Sequence, residues 1–358
     1  MTNKNSNPRI GLISSYAPNK DSFAQVMMPN VIPNCPGVNF IRIGCKGSNA
    51  DYVLDFSSFS FKKELEKIIS KENLDMLHIH YIPPLFGTNL NLLSVYNLNI
   101  PIITQLHEIQ KLTEKGFLAF IKYKILSIVQ KKIVDNSAKV IVHTPGQMSY
   151  LKEKYNAENI EVIYVGLHLK DVQPKKKKKI LFFGLISPKK GIEYLIEAMD
   201  LLKEYGLVIA GSTPDANCKR QLSKIRKIRD ESKAKDRIKI VTDTWITNTL
   251  KDSLFRNTGI IVVPYIWGPY NSGLVQDAAE YKLPIVITKV GTIFEAVKNF
   301  KMGEVVSPNS AQSISKGVIK VYNNYQYYQK GIEKYRNEAS WAVHGKKLYA
   351  LYKKILIN

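Results

Sequence analysis

Short runs of apolar, often β-branched residues recur along the chain, and longer stretches with apolar residues every three or four positions separate most of them. The short runs predict buried strands, and the longer stretches predict amphipathic helices. Such alternation is typical of parallel sheets covered by helices on both faces. The predicted strands lie at residues 9–14, 38–43, 52–56, 74–80, 100–106, 140–143, 160–165, 180–183, 207–210, 238–241, 260–263, 285–288 and 303–306.

A charge run interrupts this alternation. Gln173 and Pro174 precede five consecutive lysines at residues 175–179, and the strand–helix pattern restarts directly afterwards. A block of like charges at a break in composition indicates an exposed linker. We therefore expect two doubly wound, Rossmann-like αβα domains that face each other across a cleft. The expected segments are a first domain, a linker, a second domain and a terminal helix packed on the first domain, at residues 1–168, 169–179, 180–338 and 339–358.

Composition limits the classes of protein to consider. The 358 residues suffice for two ordinary domains, and 45% apolar content excludes a disordered chain. The start, MTNKNSNP, is polar and no long apolar run follows, so we expect neither a signal peptide nor a membrane span. Cys35, Cys45 and Cys218 lack metal or redox spacing, which favours reduced thiols in the cytoplasm.

The net charge of +22 stands out. So basic a chain is attracted to anions, which leaves nucleic acid, an anionic membrane surface and phosphorylated substrates as candidate partners. A generally lysine-rich proteome would give the same charge without any such partner. No helix-turn-helix, zinc-finger or RNA-recognition pattern is visible, and nucleic acid is therefore the less favoured partner.

Residues 260–288 predict a strand, a loop, a helix and a second strand. Ser272 has the chemistry of a helix N-cap, and Gly273 permits the close approach of a ligand. A helix that begins at the carboxyl edge of a parallel sheet offers free N–H groups to an anion such as a diphosphate. An ordinary strand–helix connection without a ligand has the same pattern, and both interpretations stay open at this point.

Three histidines lie at the ends of predicted strands. His78 and His80 share one face of their strand, so they predict either a metal pair or, preferably, hydrogen-bonded histidines. His107 and Glu108 directly follow the next strand, where parallel sheets place their chemistry. A loop histidine that only satisfies nearby backbone groups is the alternative for His107.

Residues 116–136 predict a long helix that is basic on one face and apolar on the other. Its lysines are Lys122, Lys124, Lys131 and Lys132, and its aromatic residues include Phe117, Phe120 and Tyr123. Such a helix is usually only solvated on its basic face. It could also lie on anionic lipid headgroups, with the aromatic residues inserted shallowly.

Six stretches carry a resemblance to one family: LDMLHIH, TQLHE, AKVIVHTPGQMSYL, ILFFGLISPKKGIEYLIEAM, PYIWGPYNSGLVQDAAEYKLPIVITKVGTIFEAV and SWAVHGKKLYALY. In this order they resemble segments of the family-four retaining glycosyltransferases, which have the GT-B fold. The resemblance covers nearly the whole chain. It implies transfer of a sugar from a nucleotide-sugar donor to an acceptor hydroxyl, with retention of configuration and without a metal or other cofactor.

The resemblance also implies roles for individual residues. Lys190 is similar to the lysine that contacts the donor diphosphate, and His107, beside Glu108, to the histidine next to the sugar. Asp277 falls where the family holds the ribose hydroxyls. The remaining donor-binding residues that the resemblance implies are Gly184, Ser187, Asn271, Ser272, Gly273 and Leu274.

The chain departs from the family pattern in three places. No arginine follows Gly184, and Pro269 replaces the first glutamate of a pair. The first strand is followed by Ser14-Ser15-Tyr16, without the glycine pair that is often found there. These departures leave open a non-catalytic protein that binds nucleotide-sugars or glycans. A nucleic-acid-modifying glycosyltransferase is a further alternative, and a lipid-linked compound or a glycan is the expected acceptor.

Overall fold

A computed structural model describes residues 7–16, 23–82, 90–109, 117–243, 246–268 and 272–357. The chain divides into two compact units, one of Met1–Gly166 with Ala339–Asn358 and the other of Leu167–Glu338. Each unit has one parallel sheet with helices packed on it. The prediction of two Rossmann-like α/β units from the alternation of strands and helices is confirmed.

In the first unit, the structure describes seven strands and six helices. The strands are β1 (Arg9–Ser14), β2 (Asn39–Cys45), β3 (Tyr52–Leu54), β4 (Met76–Tyr81), β5 (Ile102–Leu106), β6 (Lys139–Val142) and β7 (Ile160–Val162). The helices are α1 (Phe23–Val31), α2 (Phe61–Glu72), α3 (Leu90–Val95), α4 (Phe117–Asn136), α5 (Pro145–Tyr155) and, at the end of the chain, α13 (Trp341–Ile357). The spatial order is β3-β2-β1-β4-β5-β6-β7, so the strand order reverses between β1 and β4.

Each face of this sheet buries its own apolar cluster, because successive strand residues point to opposite faces. Ile13 and Leu77 belong to the cluster that α2 and α3 cover. Ile10 and Leu12 belong to the other cluster, which α1 and α13 cover with residues such as Trp341. A helix from the far end of the sequence thus completes the core of the first unit.

Among the described residues of the second unit are six strands and seven α-helices. The strands are β8 (Lys179–Phe183), β9 (Gly206–Ser212), β10 (Ile238–Asp243), β11 (Ile260–Val263), β12 (Ile285–Thr288) and β13 (Gly303–Val306). The helices are α6 (Ile192–Leu201), α7 (Ala216–Glu231), α8 (Asn248–Arg256), α9 (Gly273–Glu280), α10 (Glu295–Phe300), α11 (Ala311–Asn323) and α12 (Tyr325–Ala339). The order β10-β9-β8-β11-β12-β13 reverses between β8 and β11.

Three of the described helices were not predicted: α1, α3 and α10. Pro29 lies inside α1, where a proline argues against a helix, and α3 and α10 have only six residues each. Among the helices that the structure describes, none is both long and apolar enough to cross a membrane.

The helix α4 differs from its prediction in the faces it presents. Its inner side packs on the sheet through residues such as Val129 and Ile133, as expected. Its outer side, however, is not only basic but also carries exposed apolar side chains: Phe117, Phe120, Ile121, Ile125 and Ile128. Apolar residues therefore lie on both sides of the helix, whereas the prediction placed them on one side only.

Candidate functional sites

A cavity of about 460 Å³ opens at the carboxyl ends of β8 and β11, where the second sheet reverses its strand order. Parallel sheets bind ligands at this position because the loops on the two sides diverge there. The cavity is lined by Phe183, Gly184, Ser187, Lys189, Lys190, Tyr265, Trp267, Gly268, Ser272, Gly273, Leu274 and Asp277.

The backbone after β8 brings two lysines to this cavity. Gly184 has a φ of 138°, which only glycine adopts readily, and a single 3₁₀ turn, Pro188–Lys190, follows. Gly191 then has a φ of 59°, and an added Cβ would lie 2.2 Å from the carbonyl oxygen of Pro264. This close packing fixes the turn that carries Lys189 and Lys190 against the backbone that follows β11.

Both ammonium groups rest on aromatic rings of the loop after β11. The Nζ of Lys190 lies 3.6 Å from the centroid of the Tyr265 ring, and the Nζ of Lys189 lies 3.7 Å from that of Trp267. A cation over an aromatic face gains about 0.5–2 kcal/mol, which is less than a charge-assisted bond to a phosphate can provide. The rings therefore hold the lysines at the cavity without preventing a bound anion from attracting them.

The helix α9 begins at the same cavity. Ser272 is its N-cap residue, as predicted, but the side chain accepts no hydrogen bond from the helix backbone. Its Oγ lies instead 3.4 Å from the Oη of Tyr265. The first N–H groups of α9 consequently have no side-chain cap, and the positive end of the helix faces the cavity.

Asp277 lines the cavity but is already paired. Its Oδ1 accepts a hydrogen bond of 2.6 Å from the Nζ of Lys251 on α8. The charge of this carboxylate is thereby balanced inside the unit. The two lysines of the 3₁₀ turn then leave the cavity with an excess of positive charge, which suits a diphosphate.

The structure brings most of the predicted donor-side residues together. Gly184, Ser187, Lys190 and Asp277 line the cavity together with Ser272, Gly273 and Leu274. Asn271 and Pro269 lie outside the described residues. Sequence reasoning missed Lys189, Tyr265, Trp267 and Lys251, although three of these four adjoin or lie within the motif stretches.

A cluster of buried histidines lies at the carboxyl ends of β4, β5 and β6 in the first unit. The Nδ1 of His80 lies 2.9 Å from the Nε2 of His107, and the Nδ1 of His107 lies 3.2 Å from the Nε2 of His143. His143 then reaches the carbonyl oxygen of Ile163 at 2.9 Å through its own Nδ1. Two more buried histidines, His78 and His344, lie on the same side of the sheet. We call the five residues His78, His80, His107, His143 and His344 the histidine cluster.

The carbonyl at the end of this chain fixes the protons of all three rings. A carbonyl oxygen only accepts, so the Nδ1 of His143 carries the proton and its Nε2 accepts. His107 must then donate from Nδ1 and accept at Nε2, and His80 must donate from Nδ1. The Nε2 of His80 is left buried with no hydrogen-bond partner among the described residues.

Burial keeps the cluster neutral. It lowers the pKa of His78 to about 3 and those of His143 and His344 to about 4. Burial also holds the pKa values of His80 and His107 well below the usual range, and the neighbouring histidines lower them further. An uncharged ring is the form that can accept at one nitrogen and donate at the other, as these bonds require.

His78 and His80 are hydrogen-bonded histidines, which was the preferred prediction. Their rings lie 4.6 Å apart on one face of β4, and the Nδ1 of His78 lies 2.6 Å from the Oη of Tyr352 on α13. In the parts of the chain that the structure describes, no group of three or more histidine, cysteine or acidic residues is arranged to hold a metal ion.

His107 itself is 7% exposed, and both of its ring nitrogens bind other histidines. A sugar contact through a ring nitrogen would therefore require one of these bonds to open. Glu108, the next residue, is only half-buried, and burial raises the pKa of its carboxyl group. Sequence reasoning missed His143, because its partners lie on other strands and not beside it in the chain.

Comparisons with known proteins agree with this architecture. Residues 168–338 match the family model "Glycosyl transferases group 1", and residues 47–171 match "Glycosyltransferase Family 4". An uncharacterized glycosyltransferase of Methanocaldococcus jannaschii is 24% identical over 321 residues, which are 82% of this chain and 78% of that protein.

Solved structures with a similar fold include the following two. Sucrose-phosphate synthase from Thermosynechococcus elongatus matches with a TM-score of 0.75 and 17% identity over 98% of this chain and 99% of its own. The Anabaena protein HepE in complex with UDP matches with a TM-score of 0.73 and 12% identity over 97% of this chain and 100% of its own. The chain therefore carries a Glycosyltransferase Family 4-type domain followed by a Glycosyl transferases group 1 domain, in the fold of GT-B glycosyltransferases.

Proposed function

We propose that this protein is a retaining, metal-independent glycosyltransferase that moves a sugar from a nucleotide-sugar to an acceptor hydroxyl. One observation carries the proposal: two lysines and an uncapped helix N-terminus face one cavity at the strand-order reversal of the second unit. Structures of the similar HepE contain UDP, glucose or UDP-glucose, which supports a nucleoside diphosphate as the ligand here.

The chemistry follows from where negative charge grows. As the bond between C1 of the sugar and the diphosphate oxygen breaks, charge accumulates on the diphosphate. Lys190, Lys189 and the N–H groups of α9 stabilise that charge before it is fully formed, which lowers the barrier. These groups supply the positive charge that a metal ion supplies in other transferases, and this is the reason to propose metal independence.

The proposal that the configuration at C1 of the sugar is retained rests on the carboxylates that line the cavity. Asp277 is the one acidic residue among its described lining, and Lys251 already holds it. Because the described lining of this cavity offers no unpaired carboxylate as a nucleophile, we propose that the acceptor hydroxyl attacks C1 on the face that the diphosphate leaves. The new bond joins the acceptor oxygen to C1, and the hydroxyl proton passes to the departing phosphate oxygen.

The first unit is proposed to receive the acceptor, and His107 and Glu108 to act on its side of the reaction. His107 carries no charge and is held by its neighbours, so its role is to shape the site and not to transfer a proton. Glu108 retains a half-buried carboxyl whose raised pKa suits contact with a hydroxyl group.

The replacement Lys190→Ala tests the function directly. A screen of UDP-, GDP- and ADP-sugars by thermal shift first identifies the donor. We then expect kcat to fall by about 10²–10³, because one preorganised stabiliser of the leaving group is lost. The melting temperature should fall by no more than a few degrees, since Lys190 forms no ion pair in the described part of the fold and only its contact with the Tyr265 ring is lost.

The exposed Lys316→Ala in α11 is the matched control and should keep full activity. Turnover by Lys190→Ala above half the wild-type rate would contradict the role of this lysine. Binding of a nucleotide-sugar without any hydrolysis or transfer would instead favour the non-catalytic alternative.

The outer side of α4 supports a second proposal, that the protein docks reversibly on an anionic membrane. Phe117, Ile121, Ile125 and Ile128 follow one another at helical spacing on the solvent side, with exposed fractions of 38–77%. The exposed lysines Lys124, Lys131 and Lys132 lie on the same helix, and Lys131 is paired with Asp135. Shallow insertion of an apolar stripe combined with attraction of lysines to anionic headgroups is a recognised mode of peripheral binding.

Liposome flotation tests the membrane proposal. The protein should float with anionic vesicles and not with neutral ones, and less so as salt is added, since each lysine contributes about 1 kcal/mol near an anionic surface. Replacement of Ile125 and Ile128 by serine, or of Lys124 and Lys132 by glutamate, should abolish flotation. Glutamate at the exposed Lys63 and Lys67 of α2 is the control. Protein that stays at the bottom with anionic vesicles at low salt would refute docking.

A further inference from the structure

A second cavity, of about 570 Å³, runs along β13 at the edge of the second sheet. This strand has β12 as its neighbour on one side and no described strand on the other. The N–H of Lys289 donates to the carbonyl oxygen of Val306 at 2.8 Å, so the carbonyl of Val306 points towards β12. Because these directions alternate along a strand, the N–H and carbonyl of Val305 point outward, to the cavity side.

These outward groups have no hydrogen-bond partner among the residues that the structure describes. Val305 and Glu304 line the cavity together with four lysines. Free main-chain groups at a sheet edge are a template for pairing with another extended chain. The edge of β13 is therefore open to an added strand.

The cavity is strongly basic. Glu304 is its one described carboxylate, and it is taken by the Nζ of Lys320 at 3.1 Å and by the hydroxyl of Tyr328. Lys289 and Lys298 are exposed and form no ion pair with described residues. The free ammonium groups thus exceed the free carboxylates along the whole length of the open strand.

The walls also offer apolar contact. Tyr327 is 51% exposed, and the Nζ of Lys301 lies 6.0 Å from the centroid of its ring. A ligand of this groove would accordingly carry acidic groups, some apolar surface and a main chain able to form hydrogen bonds. A small phosphate compound satisfies the first requirement but not the last.

We propose that this groove binds an extended acidic segment of a partner polypeptide, which pairs with β13 as a seventh strand. The main chain of the segment bonds to Val305, and its alternate acidic side chains reach Lys289 and Lys298. Main-chain pairing supplies affinity, and the lysines select an acidic sequence. The site is separate from the sugar-donor cavity, and the proposal does not depend on glycosyl transfer.

The test uses a fluorescein-labelled ten-residue peptide of alternating glutamate and valine, followed by fluorescence anisotropy. The double replacement of Lys289 and Lys298 by glutamate should weaken binding by about tenfold or more, because exposed ion pairs become repulsions. The matched control carries the same replacement by glutamate at Lys316 and Lys330, which are exposed lysines on α11 and α12 outside the groove. Equal affinities of these two variants would overturn the proposal.

Main-chain pairing has its own test. The replacement Val305→Pro removes an N–H that contributes nothing to the pairing with β12, so the sheet should tolerate it. It should abolish binding of the peptide and leave binding of inorganic tripolyphosphate unchanged. In the unaltered protein, saturating peptide should slow hydrogen exchange at the Val305 amide. An exchange rate that the peptide does not change would refute strand addition, whether or not the proline variant folds.

Discussion

The histidine cluster predicts that mild acid unfolds the first unit and spares the second. All five rings are neutral in the folded unit because burial lowers their pKa values, to about 3 for His78 and about 4 for His143 and His344. In the unfolded chain each ring titrates near 6.5. Below that pH the unfolded state binds protons that the folded state cannot, so stability present above pH 6.5 is lost as the pH falls towards the folded pKa values.

The size of the effect follows from linkage. Between pH 7.5 and 5.5, a histidine with a pKa of 6.5 unfolded and well below 5 folded loses about 1.4 kcal/mol of folding free energy. His78, His143 and His344 together lose about 4 kcal/mol, which is a large part of the stability of an ordinary domain. The lowered pKa values of His80 and His107 act in the same direction. In the second unit the one histidine, His168, is exposed.

Hydrogen exchange with mass spectrometry at pH 7.5, 6.5 and 5.5, corrected for the intrinsic rate, measures the two units separately. Peptides of β4, β5 and β6 should lose protection by several orders of magnitude at pH 5.5, whereas peptides of β8, β11 and β12 should not. Between pH 7.5 and 5.5, the variant His344→Gln should lose about 1.4 kcal/mol less folding free energy than the unaltered protein, since it has one titrating group fewer. An equal loss of protection in both units would refute the reasoning. So would a loss of less than about 1 kcal/mol of folding free energy in the first unit.

Two further predictions concern the donor cavity. Asp277→Asn should raise the KM for the donor about tenfold and leave kcat within a factor of two, because the ribose contact that the family resemblance implies for Asp277 would be remote from the reacting carbon. Lys251→Met removes the ion pair but keeps the carboxylate, and so separates the two effects; an unchanged KM in Asp277→Asn would make Asp277 a purely structural residue. EDTA should leave the initial rate unchanged if lysines and helix N–H groups stabilise the leaving diphosphate; loss of turnover that Mg²⁺ or Mn²⁺ restores would contradict metal independence.

The strands could be predicted well where the local sequence determines burial. Ile260–Val263 and Ile285–Thr288 have the bounds expected from their apolar runs, since a strand buried on both faces leaves an uninterrupted apolar signal. Gly303–Val306 also has its predicted bounds, although this edge strand is mostly half-buried and contains Glu304. Both candidate sites could also be predicted from the ends of the strands, because the loops that follow parallel strands lie at one edge of the sheet.

Contacts across the sheet could not be predicted in this way. His80, His107 and His143 come from three strands, and His78 meets Tyr352 from 274 positions away. The aromatic partners of Lys189 and Lys190 depend on how two loops pack against Gly191. For α4, apolar residues on all sides give no period that tells which side meets the sheet.

The position of α13 in the first unit has a consequence for the order of folding during synthesis. The cluster that contains Ile10, Leu12 and Ile103 is covered by Trp341 and Leu348, which leave the ribosome only after the entire second unit. Domains usually fold in the order in which they are made. Here the first unit is begun before the second but completed after it. Its nascent sheet therefore keeps one apolar face exposed until α13 emerges. Chaperones that bind exposed apolar surface consequently have the longest time to bind this face.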